Sequence, residues 1–355
     1  MKVAFVLSTC AKFGPFIVAR DIVNFIYDKV DSIDVFYIKD SQTKLTFKAN
    51  CIKVDLFKKT DFSQYDIVHS HGFLGDVYTY LNRGSIKGKA VTTLHQKIKP
   101  DYAMNYNLFI ASTLDRLWRY CIKHNNAIVT LTKEMAQYYR SLIHHDVKYI
   151  YNGITPSISK TNVPEMSQLV LLKEKYLIMG ISANLIYRKG IDVVIEALAL
   201  PGAEGWALLI LGGGAKKDEL KKLVQKLGLE YRCVFLGNKI NAIDYYKYFD
   251  IYMMSSRSEG FGLCVIEAAS QKKPVVCNDL PVYRELFDDE EVVRFDLNNK
   301  PTLVTAINYA YLNRERLSIN LYKKYLLLYT MEKMGRNYLN LYETLNEKFD
   351  YSYSK

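Results

Sequence analysis

Short, unbroken apolar runs recur along this chain, each followed by a loop and a longer mixed segment. No other feature restricts the fold as strongly. Runs at 3–7, 33–38, 67–68, 90–94, 127–131 and 147–150 read as strands, with helical patterns at 16–29, 107–123 and 133–143 between them. The runs are continuous rather than alternating, which suits parallel strands buried on both faces. Residues 155–164 break the rhythm with Ser, Thr, Asn and two prolines and read as a linker. The alternation then restarts, with strands at 175–181, 207–211, 233–236, 251–254 and 274–277 and helices at 190–200 and 216–227. The stretch 300–349 is helical and tyrosine-rich, without clear strands. The expectation is an α/β protein of two Rossmann-like, doubly wound domains, at 1–160 and 161–329. In such folds ligands bind at the carboxyl ends of the strands.

One loop stands out for chemistry. After the strand at 251–254 the chain reads Ser255-Ser-Arg-Ser-Glu259-Gly-Phe-Gly-Leu-Cys-Val-Ile-Glu267-Ala-Ala-Ser-Gln-Lys-Lys-Pro-Val-Val276. Gly260 and Gly262 let the backbone approach a ligand closely. The helix that begins at Leu263 offers free N–H groups and a positive dipole end, which suits a diphosphate. Glu267 falls about one turn into that helix and Glu259 just before it. A rise of ~1.5 Å per residue puts them about 7 Å or more apart, too far for a shared-proton acid pair. Two readings stay open on the residues alone: grips on two ends of one ligand, or surface acids at a helix start, where acids are common. A second loop, Ser182-Ala-Asn-Leu-Ile-Tyr-Arg-Lys-Gly190, follows a strand and opens a helix. Arg188 and Lys189 are unfavourable at that helix end unless an anion accompanies them.

The string from Ser255 to Val276 closely resembles the E-x7-E signature of the retaining glycosyltransferases of family four, which have the GT-B fold. The resemblance covers almost the whole chain. It implies two Rossmann-like domains facing a cleft. The first would bind acceptor and be completed by a terminal helix at 330–355 that crosses back to it. The second would bind a nucleotide sugar. Glu267 would hold the ribose hydroxyls and Glu259 the donor sugar. The backbone of Gly260, Phe261, Gly262, Leu263 and Cys264 would meet sugar and diphosphate. The loop at 182–190 resembles the family's phosphate-binding motif. Lys189 matches its lysine, and Arg188 supplies the charge that the family's arginine carries further upstream, where this chain has Asn184. Leu211-Gly-Gly-Gly214, with Gly213 at its centre, resembles the strand-to-glycine turn. Phe235-Leu-Gly-Asn238-Lys-Ile240 resembles the segment whose backbone meets the base. In the first half, Gly14 stands alone where the family often has two glycines. Thr92-Thr-Leu-His95 resembles the histidine beside the donor sugar, with Gln96 where aspartate is common. Tyr151-Asn-Gly153 resembles a structural turn near the hinge. His69 and His71 also end a strand and are expected to line the cleft rather than to hold a metal.

The resemblance implies transfer of a hexosyl unit from a UDP- or GDP-linked sugar to a glycan or lipid-linked acceptor. The context it implies is a bacterial surface polysaccharide such as capsule, O-antigen or lipopolysaccharide. Retention of configuration by front-face attack is implied. No Asp-x-Asp motif sits at a strand end, so protein cations are expected to replace a metal, and no cofactor is expected.

Composition narrows the alternatives. The chain has 355 residues, 49% of them apolar, enough for two cores. Its net charge of +11 favours an anionic partner: a phosphate-bearing substrate, an anionic membrane surface or nucleic acid. The basic residues are spread rather than gathered in one arm, which argues against nucleic acid. The segment 107–123 mixes Leu108, Phe109, Leu117, Trp118 and Tyr120 with Arg116, Arg119 and Lys123. Both a core helix with a basic face and a weak anionic-membrane contact fit it. The six cysteines are scattered with no metal spacing, and read as buried free thiols in a reducing cytoplasm. No apolar run approaches ~18 residues, so no spanning helix is expected. The apolar run at 3–7 is too short for a signal peptide and reads as a buried first strand. The expected location is therefore the cytoplasm, including the inner membrane face. Two competing functions are a sugar-nucleotide epimerase of the same fold, which needs no acceptor, and a non-catalytic membrane- or nucleic-acid-binding protein. Both leave the two glutamates less well explained.

Overall fold

The computed structural model describes residues 1–103, 107–155, 163–239 and 241–350, without the side chains of 102, 103 and 348–350. The chain divides into two compact units, Met1–Ile154 with Tyr329–Lys355, and Thr155–Leu328.

The first unit carries a seven-stranded sheet in the order β3-β2-β1-β4-β5-β6-β7. Its strands are β1 (Lys2–Thr9), β2 (Ser32–Lys39), β3 (Asn50–Lys53), β4 (Ile67–His71), β5 (Lys89–Leu94), β6 (Ala127–Thr130) and β7 (Val147–Tyr149). Its helices are α1 (Gly14–Ile26), α2 (Phe73–Leu81), α3 (Ile98–Ala103), α4 (Leu108–Ile122) and α5 (Lys133–Ile143). All strand pairs are parallel. The central strands are buried on both faces, β4 along its whole length, which is why they read as unbroken apolar runs.

The second unit has a six-stranded parallel sheet in the order β10-β9-β8-β11-β12-β13. In chain order it comprises α6 (Met166–Lys175), β8 (Leu177–Ser182), α7 (Ile191–Leu198), β9 (Trp206–Leu211), α8 (Lys217–Lys226) and β10 (Cys233–Gly237). Then follow β11 (Ile251–Met254), α9 (Leu263–Ser270), β12 (Val275–Asn278), α10 (Pro281–Leu286), β13 (Val292–Phe295), α11 (Lys300–Leu312) and α12 (Arg314–Leu328). Met179, Leu208, Ile210, Ile251, Met253 and Val276 from four adjacent strands build its core with Val194, Leu303 and Ile307 from helices.

Strand order reverses between β1 and β4 in the first unit and between β8 and β11 in the second. At these switch points the loops leaving adjacent strands diverge and open a crevice.

The last helix, α13 (Met331–Asp350), belongs to the first unit. Where the chain returns, Ile154 N donates to Tyr329 O at 3.0 Å and Met331 N to Ile154 O at 3.0 Å. Further along, Tyr342 Oη lies 2.5 Å from His69 Nδ1, and Tyr338 Oη lies 3.0 Å from Thr93 Oγ1. Gly335 meets the Phe25 ring so closely that a methyl group there would lie 2.3 Å from Cδ1.

The structure departs from the sequence expectation in several places. β3 and β13 were not expected: both are edge strands of four residues, and an edge needs no continuous apolar run. Phe73–Leu81, where no element was expected, is helical and packs on β1. The strand expected at 175–181 starts at Leu177, because Lys175 ends α6. Most of the expected linker, 156–162, lies outside the described residues. Among these, no helix is long and apolar enough to cross a membrane.

An exposed helical Gly→Ala change ordinarily stabilises a protein by ~1 kcal/mol. At Gly335 the Phe25 ring reverses that sign, so Gly335→Ala should lower the melting temperature. Thermal unfolding followed by circular dichroism checks this; a raised melting temperature would show that α1 and α13 do not pack this tightly.

Candidate active site

The two loops singled out in the sequence leave adjacent strands, β8 and β11, at the switch point of the second sheet. Gly190 joins them. Its backbone is left-handed, with φ +61°, and a methyl group there would lie 2.0 Å from Ser255 O. Only glycine allows both the turn and the close approach. Around it, Ser255 Oγ donates to Lys189 O (2.9 Å), Arg257 N to Arg188 O (2.7 Å) and Arg188 Nη1 to Ser258 O (2.9 Å). This stitching sets Lys189 Nζ in an ion pair with Glu259 Oε1, with Arg188 Nη1 3.6 Å from Oε2. Ser256 Oγ donates to the same Oε1 at 2.6 Å.

The Glu259 side chain is only 8% exposed. Burial pushes its pKa up, but the charges of Lys189 and Arg188 and the hydrogen bonds from Lys189 and Ser256 outweigh burial. The carboxyl is held below its usual range and stays ionised. Arg257 points away from this cluster. It makes two bonds to Asp192 (2.9 and 2.6 Å) and lies 4.0 Å over the Tyr187 ring.

Glu267 has a different environment. It sits one turn into α9, and Oε2 accepts from Tyr246 Oη at 3.0 Å. No cation answers it among the described residues, and burial pushes its pKa up to about 7, with the Tyr246 bond opposing. The two glutamates are thus electrostatic opposites, one ion-paired and one not. Between them, Gly262 caps α9 with φ +87°, and a methyl group there would lie 2.8 Å from Tyr283 Oη. Gly260 and Phe261 are buried, and Leu263 and Cys264 are half-buried in the first turn. The first-turn N–H groups of a helix have no intrahelical acceptor. Burial raises the Cys264 thiol to about 12, so it is neutral.

Asn184, Gly213 and Asn238 also come together, at the carboxyl ends of β8, β9 and β10. Leu185 N donates to Gly213 O at 2.9 Å, and Gly212 N to Gly237 O at 2.8 Å. A methyl group at Gly213 would lie 3.0 Å from Asn238 Nδ2, and one at Gly214 2.4 Å from Asn184 Oδ1. Ile240 lies outside the described residues.

In the first unit, Gly14 begins α1 directly after the β1 loop. His95 follows β5, half-buried, with Nε2 2.9 Å from His71 Nδ1. Burial lowers the pKa of His95 to about 3 and that of His71 well below its usual range, so both rings are neutral.

Several expectations need correction. His69 and His71 do not line an open cleft. Both are fully buried, and His69 bonds Tyr342 of α13 and Thr93. Among the described residues, no group of three His, Cys, Asp or Glu could hold a metal ion. Arg188 and Lys189 do not wait for a ligand anion to offset the helix end, because Glu259 is that anion. Cys51 is exposed, unlike the buried thiols expected throughout. Trp118 faces the core, donating to Asp76 Oδ2 at 2.6 Å, and Arg119 is paired with Asp115. The sequence reading missed Ser256, Tyr246, Tyr283 and Asp192. Ser256 was detectable, three residues before Glu259. Tyr246 lies in a separate 3-10 helix (Ala242–Tyr248), and nothing in the sequence links it to Glu267.

With this geometry in place, comparison with known proteins gives a consistent result. Residues 162–324 match the model described as "Glycosyl transferases group 1", and residues 35–158 match "Glycosyltransferase Family 4". The O-antigen biosynthesis glycosyltransferase WclY of Escherichia coli is 30% identical over 352 residues, 97% of this chain and 99% of that protein. The lipopolysaccharide core biosynthesis mannosyltransferase LpsB of Rhizobium meliloti is 27% identical over 178 residues, 47% of this chain and 49% of that protein. Among solved structures, HepE of Anabaena in complex with UDP superposes with a TM-score of 0.81 at 17% identity, covering 97% of this chain and all of that one. Sucrose-phosphate synthase of Thermosynechococcus elongatus gives a TM-score of 0.80 at 17% identity over 97% and 98% of the two chains. Strand order, motif loops and full-length similarity agree: this chain belongs to the group 1 glycosyltransferases and has the GT-B fold.

Proposed function

We propose that this glycosyltransferase moves a hexosyl unit from a nucleoside-diphosphate sugar to a glycan or lipid-linked saccharide of a bacterial surface polysaccharide. The observation that carries the donor assignment is the pairing of one cation-answered carboxylate, Glu259, with one unanswered carboxylate, Glu267, across a glycine-capped helix start. Relatives named for O-antigen and lipopolysaccharide core synthesis support the acceptor class. A structural neighbour bound to UDP-glucose supports a UDP-linked donor.

In this reading Glu267 takes the ribose hydroxyls and Glu259 the donor sugar. The backbone from Gly260 to Cys264 and the α9 N-terminus take the diphosphate. Asn184 and Gly213 lie beside the phosphates, and Asn238 with Ile240 meets the base. His95 meets the donor sugar and Gly14 lies close to the donor. Lys189 has three donors, so it can keep Glu259 while it binds a leaving-phosphate oxygen, and Arg188 adds charge. Charge develops on that oxygen as the glycosidic bond breaks, which is where cations lower the barrier. No metal is then needed. Family resemblance supports retention by front-face attack, with the leaving phosphate helping to take the acceptor proton.

A contact with anionic membrane at the cytoplasmic face fits α4. Leu108 and Phe109 are 68% and 81% exposed, and Leu117 and Tyr120 are also exposed beside Arg116 and Lys123.

Nucleoside diphosphate release with a panel of donors and acceptors tests the assignment. Lys189→Ala should lower kcat by about a hundredfold, in line with loss of one charge-stabilising donor. Glu267→Ala should mainly raise the donor Kd, and Glu259→Ala should mainly lower kcat. Equal and minor effects of the two glutamate changes would refute the roles. EDTA should leave turnover unchanged, and proton NMR of the product should show the donor's anomeric configuration. An epimer formed from donor alone would favour the epimerase reading.

The unanswered Glu267 also predicts a pH effect on stability. Its folded pKa of about 7 lies above the usual carboxyl value, so the folded state holds the proton more tightly than the unfolded chain. Its contribution is therefore lost as pH rises from about 5 to about 8. Glu267→Gln removes this term, so the melting temperature of the variant minus that of the wild type should grow over that range. A constant difference would show that Glu267 is not desolvated.

Flotation with anionic vesicles should recover the wild type but not Leu108→Glu/Phe109→Glu. Equal recovery of both would remove α4 from the membrane contact.

A further inference from the structure

His71 was read in the sequence as a cleft-lining residue, and the structure leaves it without that role. It ends β4 at a position opposite Thr93 of β5, and His95 follows two residues later. His71 Nδ1 and His95 Nε2 lie 2.9 Å apart. The ring of His71 is held on both sides. Phe5 stacks on it with centroids 5.9 Å apart and planes at 22°, and His69 lies against it at 4.3 Å. His69 cannot offer His71 a hydrogen bond, because both its nitrogens are engaged, Nδ1 with Tyr342 Oη and Nε2 with Thr93 Oγ1. His71 Nε2 is a buried atom with no hydrogen-bond partner among the described residues.

That orphan decides where the protons sit. Burial keeps both rings neutral, so each carries one proton. If His95 Nε2–H donates to His71 Nδ1, the His71 proton must sit on Nε2, and a buried N–H is left without an acceptor. If His71 Nδ1–H donates to His95 Nε2, the orphan is a bare ring nitrogen. Orphaned buried N–H groups are the rarer of the two. The second arrangement puts the proton of His95 on Nδ1. Among the described residues no protein group engages that nitrogen, and it is not among the sealed, unpartnered atoms.

We infer that His71 is a positioning residue: it donates to His95 Nε2, fixes the His95 tautomer, and leaves Nδ1–H as a neutral hydrogen-bond donor for an oxygen of the donor sugar. The inference rests on the reading above that His95 meets that sugar. It makes His95 a donor to substrate and not a proton acceptor, because its one basic nitrogen is already occupied. A tautomer set from behind in this way is a common device for histidines that bind through one nitrogen.

Two measurements test it. In nitrogen-15 spectra of histidine-labelled wild-type enzyme, assigned by comparison with His71→Asn and His95→Ala, both rings should be protonated at Nδ1 and bare at Nε2. An Nε2-protonated His95 would overturn the inference. In steady-state kinetics, His71→Leu should lower kcat by about tenfold or more, as loss of an oriented donor does. His71→Asn should restore most of that loss, because its amide N–H occupies the place of Nδ1–H. Equal loss from Leu and Asn would point to packing alone and overturn the role, as would full activity in His71→Leu when His95→Ala is impaired. Full activity in His95→Ala would instead refute the contact of His95 with the sugar, while the spectra would still decide the tautomer. If His71→Leu fails to fold, the spectra of the wild type and the His71→Asn kinetics carry the test.

Discussion

A carboxylate sealed from water must either take up a proton or be answered by a cation, and the loop between β11 and α9 is organised around that choice. Glu259 is answered. Its ionised form persists because Lys189 and Arg188 reach it from the neighbouring loop, and they reach it because Gly190 lets that loop lie against Ser255. Neither half of the pair is stable without the other: a buried charge stripped of its partner is strongly destabilising. The loops after β8 and β11 therefore behave as one piece. A leaving diphosphate would enter a site whose cations are already held in place, so little reorganisation remains for the reaction itself. Glu267 shows the opposite case. It has a tyrosine and, among the described residues, no cation, and its burial is a cost that a ligand offering hydroxyl donors would relieve.

The first unit depends on buried polar chains of the same kind. Asp76 accepts from Ser70, Thr92 and the Trp118 indole, tying β4, β5 and α4 to one carboxyl group. His69 and Thr93 carry the sheet's polar groups to Tyr342 and Tyr338 of α13. The terminal helix is thus fastened by hydrogen bonds in the interior, from Tyr338 and Tyr342, and by the Gly335 contact with α1. Fully satisfied networks of this sort specify one arrangement where apolar packing alone would tolerate several.

Much of this was legible in the residues. Continuous apolar runs declared parallel sheets, because only strands covered on both faces can be apolar throughout. The glycines, the helix start and the two glutamates declared a ligand loop, and their resemblance to the family string supplied its chemistry. The reading failed where a residue's neighbour is distant in the chain. Edge strands β3 and β13 are only four residues long, too short to stand out as apolar runs. Tyr246 and Glu267 are 21 residues apart and on different elements. His69 and His71 do end a strand, but nothing in the local pattern shows that α13 covers His69 or that Phe5 and His69 close over His71.

Sequence alone determined the fold class, the alternation of the central strands with helices and the residue types offered by the loops after β8 and β11, because these depend on periodicity and spacing along the chain. Tertiary structure decided which charges are paired, which histidines are sealed and which carboxyl is held ionised. Those properties depend on burial and on approaches of a few ångströms between segments up to 273 residues apart, as between His69 and Tyr342.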